Sequence, residues 1–232
     1  MSCKKLILAS ASPRRRVLLR MLGLDFEIMV STAEEKNRES SGLPGEPGKP
    51  GLPGLPDKHS LGMAEIPGEQ AMRVAADKAA EIAELHPEAL VIAADTIVVI
   101  DHRILGKPRD EEEARAMLSF LSGRWHEVYT GLALVRVAEK KRLLDYEQTR
   151  VKFRSLSREE IDRYLRSGEP MDKAGAYGIQ GLGAVLVERI EGCYFNVVGL
   201  PLARLTLLLK EFGFEVLEVS SYAREGHKRP AR

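Results

Sequence analysis

The chain opens on a short apolar run, Lys5 to Ala9, and then changes period. Four or five apolar residues in a row predict a buried strand. Ser12 and Pro13 next supply an N-cap and a first helical residue, and Val17, Leu18, Met21 and Leu22 recur at helical spacing. Gly23 marks the stop, and Phe26 to Val30 reads as a second strand. After a break over 32–66, Ala71, Val74, Ala75, Ala79 and Ile82 predict a helix within 68–85. Ala89 to Ala94 predicts a strand with Asp95 and Thr96 at its C-terminal end. Ile97 to Ile100 continues extended, and Asp101-His102 turns the chain back. Asp110 with Glu113, and Ser157 with Glu160, have the spacing of capping boxes for two further helices, the first ended by Ser122-Gly123. Extended stretches over 125–138 and 142–155 lie between them. A polar loop, an apolar run from Ala184 to Ile190, a helix over 201–212 and a last strand from Phe214 to Val219 complete the pattern. Helices and strands alternating around a β-rich middle predict an α/β fold with a mixed, twisted sheet and flanking helices.

The break over 32–66 contains five triplets, GLP-GEP-GKP-GLP-GLP, from Gly42 to Pro56. This is a collagen-like composition, very short for a triple helix. It reads as an exposed polyproline-II insertion, with a trimerisation or partner-binding segment as the alternative. The tail over 220–232 is polar and basic and reads as a frayed end. The domain expected is 1–219 with the 42–56 tract inserted.

Charge adds little pull. Lys plus Arg number 35 against 34 Asp plus Glu, a formal net charge of +1, so no global attraction to nucleic acid or membrane is expected and an anion site must be local. Cys3 and Cys193 stand in no CxxC or Cys/His cluster. No apolar run reaches membrane-spanning length, and the N-terminal run is too short for a signal peptide, which reads as cytoplasmic. There is no GxxxxGK[ST], no GxGxxG and no HExxH.

Local chemistry is then sought where those elements end. SASPRRR, Ser10 to Arg16, places a helix N-terminus beside Arg14 and Arg15, which suits phosphate or is an ordinary Ser-Pro helix start with solvated arginines. Asp95 at a sheet edge suits a metal or general base, or merely shapes a turn. Lys107 in GKPRD and Lys78 on its helix can reach a phosphate or stay solvated. Glu34 and Glu35 can complete a hard-cation site with Asp95 or simply open a charged loop.

The order of four segments is more telling than any one of them. LILASASPRRRVLLRMLG, AADTIVVIDHRILGKPRDEEEARAMLSFLSG, DKAGAYGIQGLG and NVVGLPL together resemble the Maf family of nucleotide pyrophosphatases over about residues 4 to 219, the 42–56 insertion apart. The resemblance implies a Maf/ITPase-like fold with a cleft between two lobes, often a homodimer. It also implies hydrolysis of a nucleoside triphosphate to the monophosphate and pyrophosphate with a divalent cation, Mg2+ or Mn2+. It implies Asp95 as catalytic base, and Ser10, Arg14, Arg15, Lys78 and Lys107 around the phosphates. Glu35 would be the acidic partner of Asp95 at the metal, and Arg14, Thr96 and Gln180 would tune base choice. The form DKAGAYGIQG is that of the dTTP and UTP branch; the 7-methyl-GTP branch has an acidic residue in place of this Gln. A carboxamide offers both a donor and an acceptor to a 4-keto pyrimidine, yet can flip to suit cytosine, so Gln180 needs a second group, such as Thr96, to exclude CTP. Two departures stand out: Gly106 precedes Lys107-Pro108-Arg109 where the family commonly has Glu, and the insertion falls between Glu35 and Lys78. The family is also linked to septum formation and cell-division arrest, which leaves a nucleotide-binding regulator without turnover as the alternative.

Overall fold

The structure is a computed structural model that describes residues 5–32 and 66–218. The strands are β1 (Leu6–Ala9), β2 (Glu27–Met29), β3 (Leu90–Ile100), β4 (Arg103–Leu105), β5 (Trp125–Arg136), β6 (Lys141–Phe153) and β7 (Val187–Glu191). They form one seven-stranded sheet in the order β2-β1-β3-β5-β6-β7, with β4 pairing β3 off that path. The β2-β1-β3 portion is parallel and the remainder antiparallel, so the sheet is mixed. The helices are α1 (Pro13–Met21), α2 (Pro67–Leu85), α3 (Glu111–Leu121), α4 (Arg158–Leu165), α5 (Tyr194–Val198) and α6 (Leu202–Lys210). The α/β fold read from the sequence is the fold observed.

Strand β3 carries the core on both faces. Its even residues Leu90, Ile92 and Ala94 join one apolar cluster with Leu18, Leu132, Leu134 and Leu205, while Val98 and Ile100 join a second with Met117, Val128 and Phe153. Thr96 stands between the two on that face, and Thr130 lies opposite it on β5. The odd residues repeat the pattern: Val91 and Ala93 pack in one cluster under α2, and Ile97 and Val99 in another. Asp95 divides these. One polar pair thus splits the apolar core into two halves on each face of the sheet.

Helix α2 lies unusually close to the strands beneath it. A Cβ on Gly131, the β5 residue opposite Asp95, would collide with the α2 backbone at Ala71 and Met72, and one on Gly68 would run into the Tyr146 ring. Small residues at Ala71, Ala75, Ala79 and Ala83 complete that contact face.

Four expectations change. Asp95 sits in mid-strand, not at a strand end, because pairing with β5 runs unbroken from Val91 to Val99. Phe214 to Val219 forms no strand over its described residues: a turn leads into a 3-10 turn at Val216–Glu218. Of the Ala184–Ile190 run, Ala184 to Leu186 belong to a 3-10 turn and only the rest enters β7. The Ser157/Glu160 capping box is complete. At Asp110 the N-cap accepts from the Glu113 amide, but the Glu113 carboxylate turns to the Arg109 amide and guanidinium instead. The 42–56 tract, Glu34, Glu35 and the 220–232 tail lie outside the described residues.

Candidate active site

The site follows from a gap in the sheet edge. Strand β1 pairs with Leu90 to Ile92 and then ends, while β4 pairs with Val98 to Ile100. Between them Ala94 to Ile97 has no strand partner on that side among the described residues. Asp95 and Thr96 project to opposite faces, yet both are only half-buried and both border this gap. The end of β1 with Ser10 and the start of α1 flank it on one side, and the loop after β4, Gly106 to Arg109, follows on the other.

On the α2 face, Lys78 Nζ lies 2.7 Å from Asp95 Oδ1, with the two side chains 4% and 20% exposed. This lysine is the one charged residue on the buried small-residue face of α2. The close seat of α2 against Gly131 brings it within reach of Asp95. Asp95 Oδ2 keeps its acceptor capacity for a water or a cation. One helical turn further along, Glu81 accepts from Ser31 Oγ at 2.6 Å and from the Thr32 amide at 3.0 Å, fixing the chain just after β2 to the same helix.

On the other side of the gap, α1 begins as the sequence predicts, with Ser12 as N-cap and Pro13 in the first turn. Ser10 is buried and its Oγ accepts from the Ser12 amide at 3.2 Å. Arg15 turns inward. It donates to the carbonyls of Gly199 (2.8 Å) and Ala94 (2.7 Å), to Ser10 Oγ (3.3 Å) and to Thr96 Oγ1 (3.0 Å). It therefore satisfies the Ala94 carbonyl, which has no strand partner among the described residues. Arg14 points the other way and meets Asp172 at 3.3 Å. Asp172 also lies 2.5 Å from Lys173 Nζ. Partial burial pushes the Asp172 carboxyl up, but Lys173 and Arg14 outweigh it and hold it below its ordinary value.

Lys107 is exposed, in the loop whose Gly106 carbonyl accepts from the Gly175 amide at 3.0 Å. This bond ties the GKPR loop to the DKAGAYGIQG loop. Gly175 has φ +68°, and a Cβ there would press on the Val98 methyls at 3.1 Å. Further on, Glu169 accepts from the Leu182 and Gly183 amides at 2.9 and 3.1 Å and from Tyr164 Oη at 2.9 Å. Tyr164 Oη accepts in turn from the Gly178 amide at 3.3 Å. The backbone around Gln180 is thus clamped, while the Gln180 side chain is exposed and caps nothing.

Direct contacts unite Lys78 with Asp95, Ser10 with Arg15 and Thr96, and Arg14 with Asp172. Lys107 and Gln180 stand on neighbouring loops, and Glu35 lies outside the described residues. Sequence reasoning passed over the Tyr164–Glu169 clamp, the Asp172–Lys173 pair and Thr130. Thr130 carries a legible signal, a hydroxyl in phase with the inward Val128 and Leu132; the clamp joins residues 13 and 14 positions apart in a loop and leaves no periodic trace.

Among the described residues no three His, Cys, Asp or Glu side chains gather in a metal-holding group. A Mg2+ ion, however, needs only one or two carboxylates when phosphate oxygens complete its shell. The Asp95 carboxylate has the right hard-oxygen chemistry for that arrangement.

The chain is 48% identical over 214 residues to a dTTP/UTP pyrophosphatase of Pelotomaculum thermopropionicum, covering 92% of this chain and 100% of that protein. It is 47% identical to one of Acetivibrio thermocellus (92% and 98% covered) and 46% identical to one of Bacillus cytotoxicus (90% and 96% covered). Among solved structures, that of the Staphylococcus aureus Ham1 protein aligns with a TM-score of 0.45 at 10% identity, over 90% of this chain and 100% of that one. The model of the Maf-like protein family matches residues 5–212, and to that family this chain belongs.

Proposed function

We propose that this chain hydrolyses dTTP and UTP at the α–β phosphoanhydride bond, releasing the monophosphate and pyrophosphate. The observation that carries the reading is the sheet-edge gap, which opens Asp95, braced by Lys78, beside the helix start that bears Arg14. The name shared by relatives at 46–48% identity supports the same chemistry. Water adds across the anhydride: its oxygen bonds to phosphorus, the bridging P–O bond breaks, pyrophosphate leaves, and the proton passes to Asp95. Lys78 occupies one oxygen of that carboxylate and so aims the other.

Negative charge on the triphosphate is met from three sides. The α1 N-terminus contributes amides and its dipole, Arg14 exchanges Asp172 for phosphate oxygens, and Lys107 lies on the loop across the gap. A divalent cation held by Asp95, with Glu35 as its acidic partner, would polarise the anhydride. Gln180, exposed on a clamped loop, would take the pyrimidine. Housecleaning of the nucleotide pool, a cytoplasmic location and a homodimer complete the proposal. The test is a panel of dTTP, UTP, CTP, GTP and 7-methyl-GTP scored for monophosphate and pyrophosphate. Fastest release from dTTP and UTP is expected; release of inorganic phosphate alone, or of nothing, overturns the reading.

A further inference from the structure

The start of α1 attracts an anion, and the chain supplies one of its own. The first turn of α1 contains no acidic residue, and Arg14 stands at its second position. A helix start of that kind favours negative charge nearby. The charge comes from Asp172, 158 positions away, whose Oδ2 accepts from Arg14 Nη1 at 3.3 Å. Asp172 closes the 3-10 turn Glu169–Asp172. That turn is fixed at its other end, where the Glu169 carboxylate clamps the Leu182 and Gly183 amides.

The two oxygens of Asp172 are held unequally. Oδ1 accepts from Lys173 Nζ at 2.5 Å, and the same ammonium donates to the Glu169 carbonyl at 2.5 Å. The Lys173 side chain is only 11% exposed. Its stem runs under Gly178, where a Cβ would meet Lys173 Cε at 2.9 Å. The Oδ2 contact is longer and open to water, with the Arg14 and Asp172 side chains 29% and 61% exposed. Lys173 therefore retains the carboxylate when Arg14 lets go. The guanidinium fork of Arg14 meets one oxygen here, whereas a phosphate group can offer it two.

We propose that Asp172 competes with phosphate for Arg14, holding the guanidinium between turnovers and helping pyrophosphate to leave. This rests on the pyrophosphatase reading above, in which Arg14 meets the triphosphate. The incoming triphosphate displaces Asp172 by taking both arms of the fork. After the anhydride bond breaks, the carboxylate, still anchored on Lys173, returns to Arg14 as the product departs. Interactions equally strong for substrate and product slow release, and an internal competitor relieves that. Asp172 touches no substrate; it is a positioning residue that acts through Arg14.

The test titrates inorganic pyrophosphate into the wild type and Asp172→Asn by calorimetry, with melting curves for both. Steady-state assays then give kcat, kcat/KM for dTTP and inhibition by pyrophosphate. Asparagine keeps the shape and can still accept from Lys173, but it carries no charge for Arg14. Pyrophosphate should bind and inhibit about two- to fivefold more tightly, the range of one exposed ion pair. kcat/KM for dTTP should rise by a similar factor while kcat does not. Replacing a residue that merely shapes the loop would weaken binding. Unchanged or weaker pyrophosphate binding by folded Asp172→Asn therefore overturns the proposal, as does failure of both proteins to bind it. The Arg14→Ala background separates direct competition from the loss of a nearby negative charge. There Asp172→Asn should leave kcat/KM unchanged, and an equal gain overturns the proposal. Should Asp172→Asn fail to fold, Asp172→Ser carries the same expectations. A wild type that releases pyrophosphate from no triphosphate overturns the activity itself, while the calorimetric comparison still decides the competition.

Discussion

Single atoms carry most of the chemistry. Asp95 keeps one carboxylate oxygen on Lys78. Asp95→Asn retains the shape and loses the base, so turnover should fall about 10²-fold or more while nucleotide affinity changes little. Stopped assays with labelled dTTP beside equilibrium binding measure both, and near-normal turnover by folded protein would remove Asp95 from the mechanism. What the sequence revealed of this residue is instructive. Its acidity beside an apolar run was visible. Its mid-strand position was not, because two polar residues within an apolar run look like a strand end until the register with β5 is known. Arg14 and Arg15 are likewise adjacent and indistinguishable as letters. Only the turn of α1 sends one outward to Asp172 and the other inward to Ala94, Gly199 and Thr96.

Among elements, α2 decides whether the site assembles. It can lie close enough to place Lys78 on Asp95 because Gly131 has no side chain. Gly131→Ala adds one carbon against helix backbone, which cannot rotate away as a side chain would. Overpacking of that kind destabilises by about 1–3 kcal/mol, and here it should also part Lys78 from Asp95. Urea unfolding and kcat should both fall, whereas Ala substitution at Gly106, where a Cβ meets nothing, should leave the fold unchanged. Helices were the legible elements: α1, α2, α3, α4 and α6 announce themselves by apolar spacing and caps. The short α5 and the three-residue β4 do not, since neither is long enough to show a period. The apolar letters of Phe214 to Val216 pack at the edge of the first cluster rather than joining the sheet, a tertiary outcome that local alternation cannot report.

At the scale of the molecule, stability and pH are linked through His126. This residue is buried beside Phe153 and Tyr177; its Nε2 lies 2.7 Å from Tyr177 Oη and its Nδ1 has no partner. Burial pulls its pKa down to about 3 from an ordinary 6.5. Between those values the unfolded chain binds a proton that the folded chain refuses, so stability drops as pH falls, by up to about 1.4 kcal/mol per unit. Melting temperatures from pH 7 to 4 should decline more steeply in the wild type than in His126→Gln. The Gly42–Pro56 tract contributes no periodic apolar face, and a short Gly/Ser replacement should preserve turnover; loss of activity with an unchanged circular dichroism spectrum would make the tract part of the site. The gap that exposes Asp95 and Thr96 has another side. A stretch of β3 with no strand partner among the described residues is an invitation to any passing strand, from a second copy or from a nascent chain, to zip onto it. Arg15 blocks that invitation by filling the Ala94 carbonyl from within. Its loss should therefore appear first as turbidity and oligomer growth in light scattering, at concentrations where Arg14→Ala stays monodisperse: the arginine that keeps the entrance open also keeps neighbouring molecules out of it.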